Sequence, residues 1–254
     1  MKIVHFKADG HQRYGVLEGN SITEIEGKPY RHIKKLENCH KLKDVILLPP
    51  CAPTKIVAMG LNYHEHAKEL GVKIPSSPLT FMKPSTSVIG HDDHIVYPSV
   101  SAQVDYEGEL AAVIKRAAWR VSTEDALDYV LGYACFNDVT ARDLQSQDGQ
   151  WTRAKGFDTF SAIGPWMETE LDPMDVTLET YLNGELKQKS NTADLIYSLA
   201  EIINFISHVM TLLPGDVIAT GTPCGAGPMY PGDKVEIRIK QIGTLRNNVV
   251  ANGL

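Results

Sequence analysis

The sequence is poor in cysteine and contains no closely spaced cysteine pair. Its four cysteines are scattered along the chain, at Cys39, Cys51, Cys135 and Cys224. Zinc cages and disulfide frameworks need cysteines at recognisable, mostly short spacings. We therefore expect reduced thiols, with neither a zinc cage nor a disulfide framework. Cys135 is expected in the core because it lies in an apolar run.

The sequence also lacks an excess of positive charge and a long apolar run. Its formal net charge is -6, so no global positive field would attract nucleic acid or an anionic membrane. No apolar stretch reaches the ~20 residues that span a bilayer, and the first residues lack the apolar core of a signal peptide. We expect a soluble, cytoplasmic protein with no nucleic-acid or membrane partner.

The composition indicates a globular chain with room for one large core. It has 254 residues, of which 43% are hydrophobic and 22% charged. Short strand patterns at residues 2–6, 13–17 and 21–25 predict a small β-rich N-terminal unit. Pro49, Pro50 and Pro53 stiffen the chain after it. We place this unit at residues 1–52 and the main domain at 53–254.

The pattern of the main domain alternates strands with a few helices. Asn62 is predicted to cap a helix over residues 63–70 that ends at Gly71, and Thr192 to cap the longest helix over 193–210. Ser122 and Asp125 resemble a capping box for a helix over 123–129. Residues 71–98 and 151–166 are predicted to be loops, the first of them a lid. The predicted strands are 55–59, 105–114, 130–136, the hairpin 176–182 and 185–189, 217–220, 234–239 and 244–250.

Glu107 and Glu109 carry the strongest chemical signal. A strand's period of two sends both side chains to one face, with Gly108 between them. The flanking residues are mostly apolar, which predicts a buried strand, and two buried carboxylates repel each other unless a cation or proton intervenes. The alternative for an isolated pair of this kind is an exposed edge strand with two solvated glutamates.

Asp138 ends a second buried run and completes a set of three carboxylates. Oxygen ligands without Cys or a His pair suit magnesium or manganese. Asp138, Arg142 and Gln145 recur at helical spacing, so Arg142 and Gln145 would project beside the metal. Alone, Arg142 would more simply pair with Asp143 or another surface acid, and Gln145 would be a solvated helix residue.

Four further residues are candidates for acid/base work and substrate contact. His66 and Glu69 lie three apart on the short predicted helix and can form an acid/base pair, although His66 can also be an ordinary surface histidine. A zinc protease motif is excluded because Lys68 occupies the place of its second histidine. Lys155 lies among aromatic and glycine residues, where it meets an anion or is an ordinary surface lysine. Thr222 lies in a glycine-rich turn that is not a phosphate-binding loop.

With these residues in place, the sequence from about 53 to 250 resembles the fumarylacetoacetate hydrolase family. No single motif is specific, but their order and number together are. The motifs are Gly60-Leu61-Asn62-Tyr63 with His66 and Glu69, Asp105-Tyr106-Glu107-Gly108-Glu109-Leu110, Asn137-Asp138-Val139-Thr140-Ala141-Arg142-Asp143-Leu144-Gln145, Lys155-Gly156-Phe157-Asp158, Gly164-Pro165-Trp166 and Thr220-Gly221-Thr222-Pro223.

The resemblance implies a mostly β fold with a few helices, a mixed β roll, in a homodimer. It implies Mg²⁺ or Mn²⁺ on the residues that match Glu107, Glu109 and Asp138. It also implies a substrate site lined by Arg142, Gln145, Lys155 and Thr222, with His66 and Glu69 on a lid that activates water or moves a proton. Where the larger hydrolase of tyrosine breakdown supplies a further aspartate, this sequence offers Asn62, so we expect three carboxylates and additional water.

These expectations lead to two hypotheses about function. The first is an enzyme that acts on a small 2-oxo or 1,3-dicarbonyl acid through a metal-stabilised enolate, by C–C hydrolysis, decarboxylation or keto-enol isomerisation, as compact members of the family do in aromatic compound breakdown. The second is a non-catalytic, metal-dependent oxo-acid binding module. The sequence leaves the substrate and the choice among the three reactions open.

Overall fold

The computed structural model describes residues 1–252, which are mostly β-structure. Within them the four α-helices are α1 His64–Leu70, α2 Arg142–Asp148, α3 Thr152–Lys155 and α4 Leu199–Val209. The strands are β1 Lys2–Ala8, β2 His11–Glu18, β3 Ser21–Ile25, β4 Lys35–Lys41, β5 Ile46–Leu48, β6 Lys55–Gly60, β7 Leu79–Pro84, β8 Val88–Ile89, β9 His94–Tyr97, β10 Val104–Tyr106, β11 Gly108–Ile114, β12 Val130–Asp138, β13 Thr140–Ala141, β14 Ser161–Glu168, β15 Thr177–Leu182, β16 Glu185–Asn191, β17 Val217–Ala219, β18 Gly227–Met229, β19 Lys234–Ile239 and β20 Gly243–Ala251.

One large mixed sheet organises the fold. Its main path runs β4-β3-β2-β1-β14-β12-β11-β17-β6-β7. The N-terminal strands join it because β1 pairs antiparallel with β14, with Lys2 opposite Glu168. A second sheet runs β16-β15-β19-β20-β9, and a small one runs β13-β10-β18. The predicted mostly β fold with a few helices is confirmed.

The central strands are buried on both faces, as their apolar sequences predict. All seven residues of β11 are buried, and β11 lies between β12 and β17. Apolar side chains of this strand enter two separate core clusters, Leu110 in one and Ala111 in the other. Burial on both faces places the beginning of β11, where Glu109 lies, in the interior of the molecule.

Several local predictions are confirmed. The hairpin of β15 and β16 turns through Asn183 (φ 53°) and Gly184 (φ 83°), the left-handed pair of a two-residue turn. Helix α1 ends at Gly71 with φ 65°. All four cysteines are free thiols, and Cys135 is buried. No helix among residues 1–252 is long and apolar enough to cross a membrane.

The predicted helix caps at Asn62 and Thr192 are both wrong. The Asn62 side chain does not cap α1; its amide donates to the carbonyl oxygens of Thr220 (2.8 Å) and Tyr197 (3.1 Å). The longest helix begins only after Ser198, which forms a capping box with Glu201. Thr192–Asp194 instead form a 3-10 helix, and the chain after it passes Asn62, where the backbone N–H of Tyr197 donates to the Asn62 side-chain oxygen (2.9 Å).

The two predicted loops contain regular structure. Residues 71–98 include β7, β8 and β9, and β7 forms because its backbone pairs with β6 along the whole of Lys55–Gly60. Residues 151–166 include α3 and the start of β14. The predicted helix at 123–129 is a 3-10 helix over Ala126–Tyr129. For the strands, partners distant in sequence decided the local structure.

Candidate active site

The site begins at a break between two strands. β10 ends at Tyr106 and β11 begins at Gly108, so Glu107 lies between them. Its backbone is held from both sides: Glu107 N donates to Asn137 Oδ1 (3.0 Å), and Asp138 N donates to the Glu107 carbonyl (2.9 Å). A Cβ at Gly108 would lie 2.1 Å from Thr180 Oγ1, so only glycine fits here.

The structure brings the three predicted carboxylates together. Glu107, Glu109 and Asp138 each offer one oxygen, and these oxygens all lie within 4.8 Å of one another. The three residues are 6%, 1% and 0% exposed. The reading of Glu107 and Glu109 as solvated edge-strand glutamates is therefore wrong.

Glu109 is the carboxylate that most needs a further partner. Its Oε2 accepts a hydrogen bond from Gly221 N (2.8 Å), whereas its buried Oε1 has no partner. Burial, reinforced by the negative charges of Asp138 and Glu107, raises its pKa well above the usual value. A buried carboxylate oxygen without a donor is costly. It therefore marks a place for a proton or a cation.

The chemistry of this oxygen cluster fits a divalent cation such as Mg²⁺ or Mn²⁺. Three buried carboxylates supply hard oxygen donors, and no sulfur or imidazole ligand belongs to the cluster. The unpartnered Oε1 of Glu109 is directly available to an ion. Glu107, Glu109 and Asp138 are thus the residues that would hold it.

Lys155 lies inside the carboxylate cluster and is not a surface lysine. Its Nζ donates to Glu107 Oε2 and to Asp138 Oδ2, both at 2.7 Å. Burial alone would lower its pKa, but the charges of Asp138 and Glu107 raise it above the usual value. Lys155 therefore stays an ammonium group and offsets part of the negative charge.

A second buried ammonium group, Lys83 on β7, escaped the sequence analysis. Lys83 is 0% exposed, and its Nζ donates to an Asp138 oxygen, to the Phe160 carbonyl (2.6 Å) and to the Val139 carbonyl (3.2 Å). Burial lowers its pKa. No local pattern identifies such a lysine, because all its acceptors lie at least 55 residues away in sequence.

Arg142 faces the site and does not pair with Asp143. It donates from Nε to Asp105 Oδ2 (2.8 Å), from Nη1 to Gln145 Oε1 (2.7 Å) and from Nη2 to Glu107. Burial alone would raise the pKa of Glu107, but the charges and hydrogen bonds of Lys155 and Arg142 outweigh it and lower that pKa to about 2. Glu107 and Glu109 thus have opposite pKa shifts in one cluster.

Helix α1 brings the predicted acid/base pair to the site. His66 Nδ1 lies 2.8 Å from Glu69 Oε2, and His66 lines the cavity described below. The other Glu69 oxygen accepts from Gly225 N at 3.1 Å. Glu69 therefore orients the imidazole and also ties α1 to the glycine-rich turn.

Thr222 is fixed by Gln188, a residue of the hairpin that the sequence analysis missed. Thr222 Oγ1 donates to the Gly108 carbonyl (2.9 Å) and accepts from Gln188 Nε2 (2.9 Å). Gln188 is 1% exposed, and its Oε1 accepts from Gly108 N (3.0 Å). A buried glutamine in a hairpin gives no sequence signal, since its partners Thr222 and Gly108 lie 34 and 80 residues away.

These residues surround a cavity of about 310 Å³. It is lined by Met59, Gly60, Leu61, His66, Leu70, Val72, Leu79, Phe81, Glu107, Arg142, Gln145, Trp151, Lys155 and Thr222. Every predicted site residue except Glu69, Glu109 and Asp138 is on this wall. Glu69 contacts the lining residue His66, and Glu109 and Asp138 form the carboxylate cluster with Glu107.

In this mostly β protein, three buried carboxylates beside a cavity form a site that could hold a cation next to a small ligand. Residues 55–250 match the family described as Fumarylacetoacetate (FAA) hydrolase C-terminal, and residues 1–50 match the one described as Rv2993c-like, N-terminal. The chain belongs to the fumarylacetoacetate hydrolase family.

Known relatives include enzymes of different reaction types. The chain is 42% identical to oxaloacetate tautomerase YisK of Bacillus subtilis over 249 residues, which is 92% of this chain and 82% of the relative. It matches a crystal structure of 5-carboxymethyl-2-hydroxymuconate delta-isomerase from Mycobacterium smegmatis with a TM-score of 0.94, 41% identity and coverage of 99% and 100% of the two chains. It matches maleylpyruvate hydrolase from Sphingobium sp. SYK-6, in complex with manganese(II) ion and pyruvate, with a TM-score of 0.81, 32% identity and coverage of 99% of each chain.

Proposed function

We propose that this chain is a divalent-metal-dependent enzyme that acts on a small 2-oxo or 1,3-dicarbonyl acid through an enolate. The unpartnered, buried Oε1 of Glu109 carries the proposal, because it lies among three carboxylates beside a cavity that also presents Arg142 and His66. A bound Mg²⁺ or Mn²⁺ would supply Lewis-acid stabilisation of negative charge developing on the substrate's oxo group.

The protein's own residues would bind and orient the substrate. Arg142 is held in place by Asp105 and Gln145, and it is the cavity's fixed cation for a substrate carboxylate. The Thr222 hydroxyl already donates its proton to the Gly108 carbonyl, so its role is to shape the site beside the substrate. Lys155 places a second positive charge where an enolate would form.

His66 would move the proton. When its Nδ1 donates to Glu69, the other ring nitrogen is the one free to accept a proton from substrate or water. The same imidazole serves C–C hydrolysis by activating water and keto-enol isomerisation by moving a proton. The relatives include a tautomerase, an isomerase and a hydrolase, which supports this group of reactions.

The test combines metal binding with turnover. We expect the parent to bind Mn²⁺ and to turn over oxaloacetate, acylpyruvates or 2-hydroxymuconate-type diacids, and to lose this activity in chelator. Glu109→Gln should lose Mn²⁺ binding in calorimetry, while Glu24→Gln, which changes a buried glutamate outside the cluster, should retain it. Full activity in chelator would contradict the proposal. Oxo-acid binding that raises the melting temperature without any turnover would favour a binding module instead.

The remaining aspects of the proposal rest on the sequence patterns and on the family resemblance. We propose a homodimer with its small N-terminal unit at residues 1–52 and a catalytic domain from 53 onward, working in aromatic compound breakdown in the cytoplasm. Light scattering tests the dimer, because a monomeric mass at micromolar concentration would exclude it.

A further inference from the structure

The cavity has a charged floor and an apolar mouth. Glu107 and Lys155, at its floor, are 6% and 2% exposed. Leu70, Val72 and Leu79 line the same cavity and are 56%, 48% and 43% exposed. Exposed apolar side chains that converge on a cavity are typical of a surface that a ligand covers.

Two aromatic rings connect the floor to the mouth. Phe81 and Trp151 meet edge to face with their centroids 5.1 Å apart, and Lys155 Nζ lies 4.9 Å from the centre of the Phe81 ring. Trp151 lies close against Gly60, where a Cβ would come within 2.6 Å of its ring. The wall that leads outward from the catalytic ammonium group is therefore apolar and closely packed.

Both cationic side chains that line the cavity form ion pairs with carboxylates at its floor. Arg142 pairs with Asp105 and Glu107, and Lys155 pairs with Glu107 and Asp138. Among the described residues that line the cavity, no other lysine or arginine is present. A carboxylate at the mouth would meet no cation among the described lining residues, whereas an apolar tail would bury the exposed surface of Leu70, Val72 and Leu79, which is favourable.

From this arrangement we infer that the preferred substrate carries an uncharged, apolar tail of several carbons beyond its oxo-acid head. The inference rests on the proposed function for the position of the head, at the floor beside Arg142. The tail then follows Phe81 and Trp151 outward and covers Leu70, Val72 and Leu79. Both carboxylates of a short diacid would lie near the floor. Only a longer acid reaches the mouth, so only longer acids can show whether a charged or an uncharged tail binds better.

The matched ligands are 2-oxoheptanoate and 2-oxoheptanedioate, which differ only in a terminal methyl or carboxylate. Neither has the 4-oxo group of an acylpyruvate, so their binding can be measured without C–C cleavage. In calorimetry with the Mn²⁺-loaded protein, we expect the monoacid to bind about tenfold more tightly or better. Equal affinity, or tighter binding of the diacid, would overturn the inference.

A charge placed at the mouth should reverse this preference. Leu79→Lys gives the distal carboxylate a partner, so the diacid should gain affinity and the monoacid lose it. Leu186→Lys changes a leucine that is 45% exposed on the hairpin and does not line the cavity, so it should leave both affinities unchanged. An unchanged preference in Leu79→Lys would count against the apolar mouth as the tail site.

Other outcomes separate this inference from the proposed reaction. If the monoacid binds more tightly but the protein turns over none of oxaloacetate, acylpyruvates and 2-hydroxymuconate-type diacids, the proposed reaction fails and the tail preference stands. If neither analogue binds the Mn²⁺-loaded protein, the tail inference fails, and the turnover test alone decides the proposed reaction. If Leu79→Lys halves the mass in light scattering, this surface is covered by a second copy, and the tail inference is overturned.

Discussion

At the residue scale, the site depends on how positive charge is distributed around Asp138. One oxygen of Asp138 accepts from Lys155, and the other accepts from Lys83. Lys155 lines the cavity, whereas Lys83 is fully enclosed and uses its remaining hydrogens on two backbone carbonyls. Lys83 therefore positions Asp138 from the enclosed side, and Lys155 is the ammonium group in reach of substrate.

Replacing Lys83 tests this division of roles. Lys83→Met should destabilise the metal-free protein by roughly 3–5 kcal/mol, because breaking a buried ion pair leaves a charge uncompensated. Urea denaturation in chelator measures the loss, and added Mn²⁺ should recover part of it. Lys34→Met removes an exposed partner of Glu26 and should leave the denaturation midpoint unchanged. Equal midpoints for Lys83→Met and the parent would show that the contact between Lys83 and Asp138 does not stabilise the protein.

At the element scale, the break between β10 and β11 sets the positions of the Glu107 and Glu109 carboxylates. Gly108 allows the break because its missing side chain leaves room for Thr180 and Gln188, which pack against it from β15 and β16. The predicted unbroken strand over residues 105–114 is therefore interrupted at Glu107. The alternation of side chains that the sequence analysis used still delivered both glutamates to one cluster.

The break gives a second prediction. Gly108→Ala places a Cβ 2.1 Å from Thr180 Oγ1, and such overpacking costs about 1–3 kcal/mol and shifts the backbone. We expect weaker Mn²⁺ binding in calorimetry. Adding Thr180→Ala removes the contacted hydroxyl, which has no hydrogen-bond partner, and should restore part of the affinity. Parent-like Mn²⁺ affinity in Gly108→Ala would argue against the role of the break.

The start of α4 gives a third prediction, which concerns its capping box. The Ser198 hydroxyl accepts from Glu201 N (3.3 Å), and Glu201 Oε2 accepts from Ser198 N (2.8 Å). Ser198→Ala should lower the free energy of unfolding by about 1 kcal/mol, while Ser198→Thr should retain most of it. Urea denaturation compares the two variants. Equal free energies of unfolding for the two variants would show that the Ser198 cap does not stabilise α4.

At the scale of the whole molecule, the carboxylate cluster links stability to pH and metal. The pKa of Glu109 is raised above 4.5, so its contribution to stability is present below that value and is lost as pH rises through the raised pKa. The pKa of Glu107 is lowered to about 2, so its contribution is present above 4.5 and is lost as pH falls towards 2. A metal ion would replace the proton on Glu109.

This linkage gives a fourth prediction. The pH dependence that Glu109 contributes, a loss of stability as pH rises, should be present in chelator and disappear with saturating Mg²⁺. Urea midpoints measured from pH 4.5 upward in both conditions test the expectation, and Glu109→Gln should remove the difference between them. Calorimetry in buffers of different ionisation enthalpy should show that metal binding releases about one proton. Metal binding without proton release would mean that Glu109 is already ionised.

Much of this protein was determined by local sequence. The alternation and apolar content of β11 and β12, the Asn183-Gly184 turn and the glycine after α1 each predict their structure from a few neighbouring residues. The same local rules placed Glu107, Glu109 and Asp138 at the ends of buried strands. The motif order then identified the family, and the comparisons confirm it.

Only the tertiary structure decided which distant groups meet. Lys83 and Gln188 become site residues because β7 and the hairpin bring them to Asp138 and Thr222. Asn62 bonds to two other segments and leaves its predicted cap unused. The opposite pKa shifts of Glu107 and Glu109 also have a tertiary cause, since Lys155 and Arg142 donate hydrogen bonds to Glu107, whereas Glu109 accepts one, among the described residues, only from the Gly221 backbone. Local sequence fixes which element forms and which face is apolar; burial and charge pairing depend on neighbours that only the folded chain supplies.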